Sequence, residues 1–386
     1  MYCNLVVFKR ANVSKASRIQ YQSVFKQNPS RMDVTSNNVL TNVSITAIDE
    51  TGWILAGKYI HLISIPIIVI FGLLGNTLSL SVYCMKSMKK AKCKVFLATL
   101  AVVDNIFLVV LAVNWINDYF YDILTEEFLC QITVYVTYVA SSLSSWCVVG
   151  LSSERFIAIC FPLQRVCRRG TTNDKVIVGI FVLVSCTLYS FAIWTTSVRL
   201  IDAHCMCFFK LEYMDQMTFF TWLDTVVTMM LPFFIIASTN CLVFRAVITS
   251  RQNTRIRSFR NRNVVFTKLD NDRRLVTSCN FGRQTRNSTK IQITVPLLLV
   301  STTFLLLNLP AHMVRLGELI NSQPTTLPIR RFLNEIAHTL YYCSFSCNIL
   351  LYTAFGRGFR TSLFNLLGCF CKHRTVTRQI FIPKAL

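Results

Sequence analysis

The stretch SSLSSWCVVGLSSERFIAICFPL (141–163) runs uncharged from Ser141 to Ser153, then sets Glu154 beside Arg155 and turns apolar again. Such a run suits a bilayer, and an acid and a base at its end are costly there unless they meet each other or lie close to the interface. It belongs to the block Leu129 to Ser153, and six similar blocks accompany it: Tyr59 to Cys84, Val95 to Ile116, Val176 to Val198, Met217 to Phe244, Ile291 to Val314 and Ile336 to Phe355. Each approaches or exceeds the roughly 20 residues that cross a membrane as a helix. The 53% hydrophobic content of the 386 residues is therefore laid out as spans rather than as one soluble core. The expected fold is an all-α membrane protein, a seven-transmembrane helix bundle.

Charge orients the bundle. The loops after the first, third and fifth spans, with the tail, hold 28 of the 40 basic residues and four acids, whereas the other side holds 12 of each. By the positive-inside rule the amino terminus is outside and the carboxyl terminus cytosolic. The net charge of +22 follows from this topology and suits anionic inner-leaflet lipid; no nucleic-acid partner is expected. NLVVF near the start is too short for a cleaved signal core, so the first span is expected to direct insertion.

Residues 1–58 are expected to form an extracellular tail, 59–355 the seven-span domain with a basic cytosolic loop at 250–290, and 356–386 a cytosolic tail. NVS at Asn12 and at Asn42 are glycosylation sequons on the outer side; NST at Asn287 lies in the cytosolic loop and should stay unmodified. In GRGFRTSLFNLLGCFC, Phe359, Leu363, Leu366, Leu367 and Phe370 recur at helical spacing, which predicts a short amphipathic helix on the inner leaflet. Cys369 and Cys371 at its end are candidate palmitoylation sites.

Polar residues inside the spans are the candidate functional groups, because each is expensive to bury in lipid. Asn76, Asp104, Ser144 and Asn348 share one depth on four spans. In the sixth span, Pro310 removes a backbone donor and allows a kink, while Phe304, Asn308, His312 and Arg315 share one face. That face must look into the bundle, as must the stripe His338, Tyr341, Tyr342, Phe345, Asn348 and Tyr352 of the seventh. With Asn114, Trp115 and Asp224 these residues are expected to line a polar, aromatic cavity in the outer half. Simple hydrogen-bonded ties between helices would account for any one of them alone.

Taken in order, these residues resemble the rhodopsin-like family of G-protein-coupled receptors: Gly75-Asn76, LAVVD ending at Asp104, Cys130, ERF at Glu154 to Phe156, Pro162, Pro232, Phe304, Pro310, and NILLY with Asn348 and Tyr352. The resemblance implies that Glu154 holds Arg155 until activation frees it for a heterotrimeric G protein, with Asp104, Phe304, Pro310, Asn348 and Tyr352 in the switch. It further implies a plasma-membrane location, arrestin and a receptor kinase as partners, and sodium near Asp104, Ser144 and Asn348. Cys130 would be bridged to a cysteine of AHCMCFF, Cys207 being preferred while Cys205 stays open. Ile349 stands where NPxxY places proline, so the seventh span should be stiffer.

Thr137 stands where aminergic members of that family carry an acid, and Tyr342 where opsins carry a lysine, so the resemblance points instead to a peptide ligand. LLLNLPAHMVRL looks like invertebrate neuropeptide receptors of the FMRFamide and thyrotropin-releasing-hormone-like group. The expected ligand contacts are Asn114, Trp115, Thr137, Asp224, Asn308, His312, Arg315 and Tyr342, with Asp224 meeting an arginine of the peptide and Arg315 its carbonyls or an acidic group. No cofactor is expected, and neither a metal-spaced cluster nor a nucleophile arrangement suggests an enzyme. The alternatives are a transporter, which should show internal repeats that this chain lacks, and a receptor-like protein that no longer signals.

Overall fold

The computed structural model describes residues 36–85, 93–161, 170–201, 204–265, 276–320, 328–356 and 358–368. Asn12, Phe370, Cys369 and Cys371 lie outside them. Among the described residues six helices are long and apolar enough to cross a membrane: Gly52–Cys84, Lys94–Tyr119, Glu127–Cys160, Asn173–Thr195, Asp215–Thr249 and Leu297–Ile320. The seventh span is made of two shorter helices, Pro328–Ser344 and Asn348–Phe355. The helix of the first span starts at Ser36, well before the Tyr59 expected. Residues 36–65 contain no proline, and a helix already nucleated in the bilayer gains a hydrogen bond for each residue it adds.

Each span turns one stripe inward. In the first, Ile65, Val69, Asn76, Ser79 and Val82 are buried while Ile63, Ile67, Ile70 and Leu74 are exposed on what becomes the lipid side. The third span lies at the centre, with two thirds of its most apolar window buried. Its Gly150 admits the second span closely, since a Cβ there would fall 2.5 Å from the Phe96 ring. Apolar clusters fill the cytosolic half, around Phe96, Leu100, Val148 and Tyr352, and the outer half of spans one, two, three and seven, around Leu108, Leu111 and Phe345. Beyond the fourth span the hairpin β1 (Thr196–Ile201) and β2 (His204–Phe209) pairs Val198 with Cys207. The Cys130–Cys207 disulfide ties it to the top of the third span.

The fifth span widens into a π turn at Thr225–Met230, just before Pro232. The proline ring has no N–H and would crowd the carbonyl four residues back, and the wider turn relieves that clash. In the seventh span the expectation of stiffness is corrected. The helix breaks at 345–347 although no proline is present. Ser344 and Ser346 Oγ donate to the carbonyls of Tyr341 and Cys343, competing with the backbone amides that would continue the helix. Asn76 Nδ2 then donates to the buried Phe345 carbonyl that the break frees, at 2.9 Å, so the break is satisfied from the first span. Asn76→Leu is expected to cost about 1–3 kcal/mol by orphaning that carbonyl. Thermal unfolding in lipid nanodiscs checks this against Asn105→Leu, whose exposed bond to Thr77 should matter less.

The amphipathic helix spans 358–368. Phe359, Leu363 and Leu366 pack on the cytosolic cluster, while Phe364 and Leu367 are exposed. Leu367 thus leaves the face on which the sequence placed it, and with Phe364 it offers an apolar edge to lipid.

Candidate functional site

Four polar assemblies are spread through the described part of the bundle, from its outer half to its cytosolic mouth. The outermost is a cavity enclosing about 520 Å³ of empty space, part of it open to solvent, between the first, second, third and seventh spans. Its wall is formed by His61, Phe107, Val110, Leu111, Asn114, Trp115, Asp118, Thr137, Tyr341 and Tyr342. The second span supplies most of it, because Phe107, Leu111, Asn114 and Asp118 recur at steps of four and three along one face. Tyr341 closes the floor through a 2.7 Å bond between its hydroxyl and Ser141 Oγ. Phe107 stacks on Phe345 with centroids 3.8 Å apart, which stiffens the wall. Trp115 lines the cavity, and its Nε1–H is buried without an acceptor.

Of the expected ligand contacts, Asn114, Trp115, Thr137 and Tyr342 line this cavity; Asp224, Asn308, His312 and Arg315 do not. Asn308 is buried, and its Nδ2 donates to the Phe304 carbonyl of its own helix. His312 Nδ1 is buried without a partner. Sequence reasoning missed His61, Phe107 and Asp118. Asp118 stood four residues beyond Asn114, at the spacing that places both on one helix face.

Between the fourth, fifth and sixth spans, Asp224 and Arg315 meet each other, Oδ2 to Nη2 at 2.5 Å. Both are almost fully buried, at 2% and 6% side-chain exposure. This corrects the expectation that each awaits a ligand. Opposite charges inside a membrane cost less when they neutralise one another than when each stays unpaired. Tyr189 completes the group, its hydroxyl donating to Asp224 Oδ1 at 2.6 Å and lying 2.5 Å from Thr228 Oγ1.

At mid-depth Asp104 is fully buried. Ser144 Oγ donates to its Oδ1 and Asn348 Nδ2 to its Oδ2, each at 2.8 Å. Asn348 offers its amide hydrogens here, not its carbonyl. The three groups expected round a sodium ion thus bond to one another, with Asp104 and Ser144 presenting oxygen. Nearer the cytosol Tyr352 packs edge-on against Tyr83 and beside Phe359, and Phe304 lies against the same cluster.

At the cytosolic mouth the expected Glu154–Arg155 ion pair is absent. Neighbouring residues on a helix diverge by about 100° and do not face each other. Instead Arg155 Nη2 donates to Cys93 Sγ at 2.7 Å, and the Cys93 thiol lies 3.7 Å from Glu154 Oε2. Arg155 is 4% exposed and its Nε has no partner.

Residues 75–352 match the family described as 7 transmembrane receptor (rhodopsin family). The cholecystokinin receptor type A of Oryctolagus cuniculus is 31% identical over 138 residues, covering 35% of this chain and 31% of that protein. Cephalotocin receptor 1 of Octopus vulgaris is 27% identical over 180 residues, 45% and 43% respectively. Lysophosphatidic acid receptor 4 of Homo sapiens is 26% identical over 193 residues, 47% and 50%. The chain thus spans half or less of the length of these curated relatives.

Proposed function

The chain belongs to the rhodopsin family of seven-transmembrane receptors, and from that premise we propose that it is a plasma-membrane receptor for an extracellular peptide, coupled to a heterotrimeric G protein. The observation that carries the reading is the outer cavity, an aromatic wall with an unmet Trp115 donor. It opens to the outer side, where one end of a peptide could enter with its backbone carbonyls. Of the relatives, one is by its name a receptor for cholecystokinin, one for cephalotocin and one for lysophosphatidic acid. A phosphate headgroup seeks Arg or Lys. Among the described residues the cavity wall has neither, and Arg315 is engaged by Asp224.

The mechanism is a population shift. The peptide binds the outer cavity more tightly in the active arrangement, the sixth span pivots at Pro310, and a cytosolic cleft opens beside Arg155 for the G protein. Arrestin and a receptor kinase would use the same cytosolic face, bordered by the basic loop and the amphipathic helix.

The test is to express the chain with a promiscuous G protein, apply a library of amidated neuropeptides and read calcium release. A response is expected that Arg155→Ala abolishes and that Trp115→Ala shifts to about ten- to hundredfold higher peptide concentration, the effect of an anchoring aromatic. Silence across the library, with surface expression confirmed, would overturn the peptide reading.

A further inference from the structure

We propose that Cys93 is the residue that holds Arg155 in the resting receptor. The inference rests on the reading that Arg155 is the group a G protein must reach. Cys93 sits at the start of the second span with φ 65°, the one positive-φ residue other than glycine among those described, and its side chain is 1% exposed. A left-handed residue with a Cβ is strained, and such strain persists where surrounding contacts hold it. Here the contacts are polar. The sulfur accepts from Arg155 Nη2, and the thiol hydrogen points a second, longer contact at Glu154 Oε2. A thiol both accepts and donates, so Cys93 relays between a cation and an anion that their own helix directs apart.

The relay ties Arg155 to the second span. Outward motion of the sixth span alone leaves it intact, so the arginine must still leave the sulfur before it can enter a cytosolic cleft. Sulfur is a weak acceptor, and the Arg155 Nε finds no partner at all. The hold is therefore loose compared with a bidentate carboxylate, which suits a contact that has to be broken by peptide binding. Glu154 acts at one remove, by orienting the thiol.

Full-length receptor in nanodiscs, with purified heterotrimeric G protein and no peptide, gives basal guanine-nucleotide exchange as the readout. Cys93→Ala is expected to raise basal exchange about three- to tenfold, the shift that loss of one such contact gives a two-state equilibrium. Cys93→Ser, which keeps a donor and an acceptor, is expected to stay near wild type, and Glu154→Gln to move exchange less than Cys93→Ala. Unchanged exchange in Cys93→Ala, or Cys93→Ser behaving like it, overturns the proposal; a general packing defect would lower the melting temperature without raising exchange.

A second readout needs no G protein. If Arg155 covers the sulfur, N-ethylmaleimide will alkylate Cys93 several-fold faster in Arg155→Ala than in wild type, as followed by peptide mass spectrometry. Equal rates overturn the contact itself. Exchange that is silent in every variant while the alkylation rates differ would count against the signalling reading and leave the contact standing.

Discussion

Replacing Arg315 with methionine is expected to destabilise the receptor by about 3–5 kcal/mol, and Asp224→Leu by a similar amount, while the double variant recovers most of the loss. Arg315→Met leaves the Asp224 carboxylate, 2% exposed, with the Tyr189 hydroxyl, and Asp224→Leu takes the buried carboxylate from Arg315, which is 6% exposed. A hydroxyl does not neutralise a buried ion. The double variant fills similar volume with apolar atoms and removes both desolvation penalties. A double-mutant cycle on thermal unfolding in nanodiscs therefore predicts strong coupling. Additive single effects, or losses below about 1 kcal/mol, would mean that the pair behaves like an exposed one. Peptide potency supplies a separate check: because Arg315 lies off the cavity wall, the double variant should keep more of it than Trp115→Ala.

That pair also marks where sequence reasoning stops. The apolar spans were legible because length and lack of charge are local properties, and so was the inward face of the sixth span, because Phe304, Asn308, His312 and Arg315 recur at helical steps. The partner each polar group chooses is not local. Arg315 was read as waiting for a ligand, yet its partner lies on the fifth span, brought within reach only when the bundle closes. Glu154 and Arg155 were read as a pair because the family resemblance implies one, and helical geometry separates them. Cys93, the group that reaches both, drew no attention in a basic run before the second span. The broken seventh helix shows the same limit. The absence of proline at Ile349 argued for continuity, but the break is held by Asn76, more than 260 residues away in sequence.

Cys130→Ser and Cys207→Ser are each expected to lower stability by about 2–4 kcal/mol, and the pair together by no more than either alone, because one bond is lost in every case. The bridge spans 77 residues, a loop long enough for the chain-entropy account to give roughly 4.5 kcal/mol. Spans held in a bilayer already restrict that loop, so the lower part of the range is expected. The consequence is also local. A two-stranded hairpin is marginal by itself, and β1 and β2 are fastened to the third span through Cys207 beside the outer mouth. Loss of the bond should therefore weaken peptide potency as well as unfolding temperature. Reduction of the wild type with dithiothreitol should reproduce both effects and add nothing to the serine variants. Cys205→Ser is the deciding control, since Cys205 pairs opposite Leu200 while Cys207 sits opposite Val198, and it is expected to leave the melting temperature unchanged. A loss in Cys205→Ser with none in Cys207→Ser would place the bridge on the other cysteine and shift the hairpin by two residues against the third span.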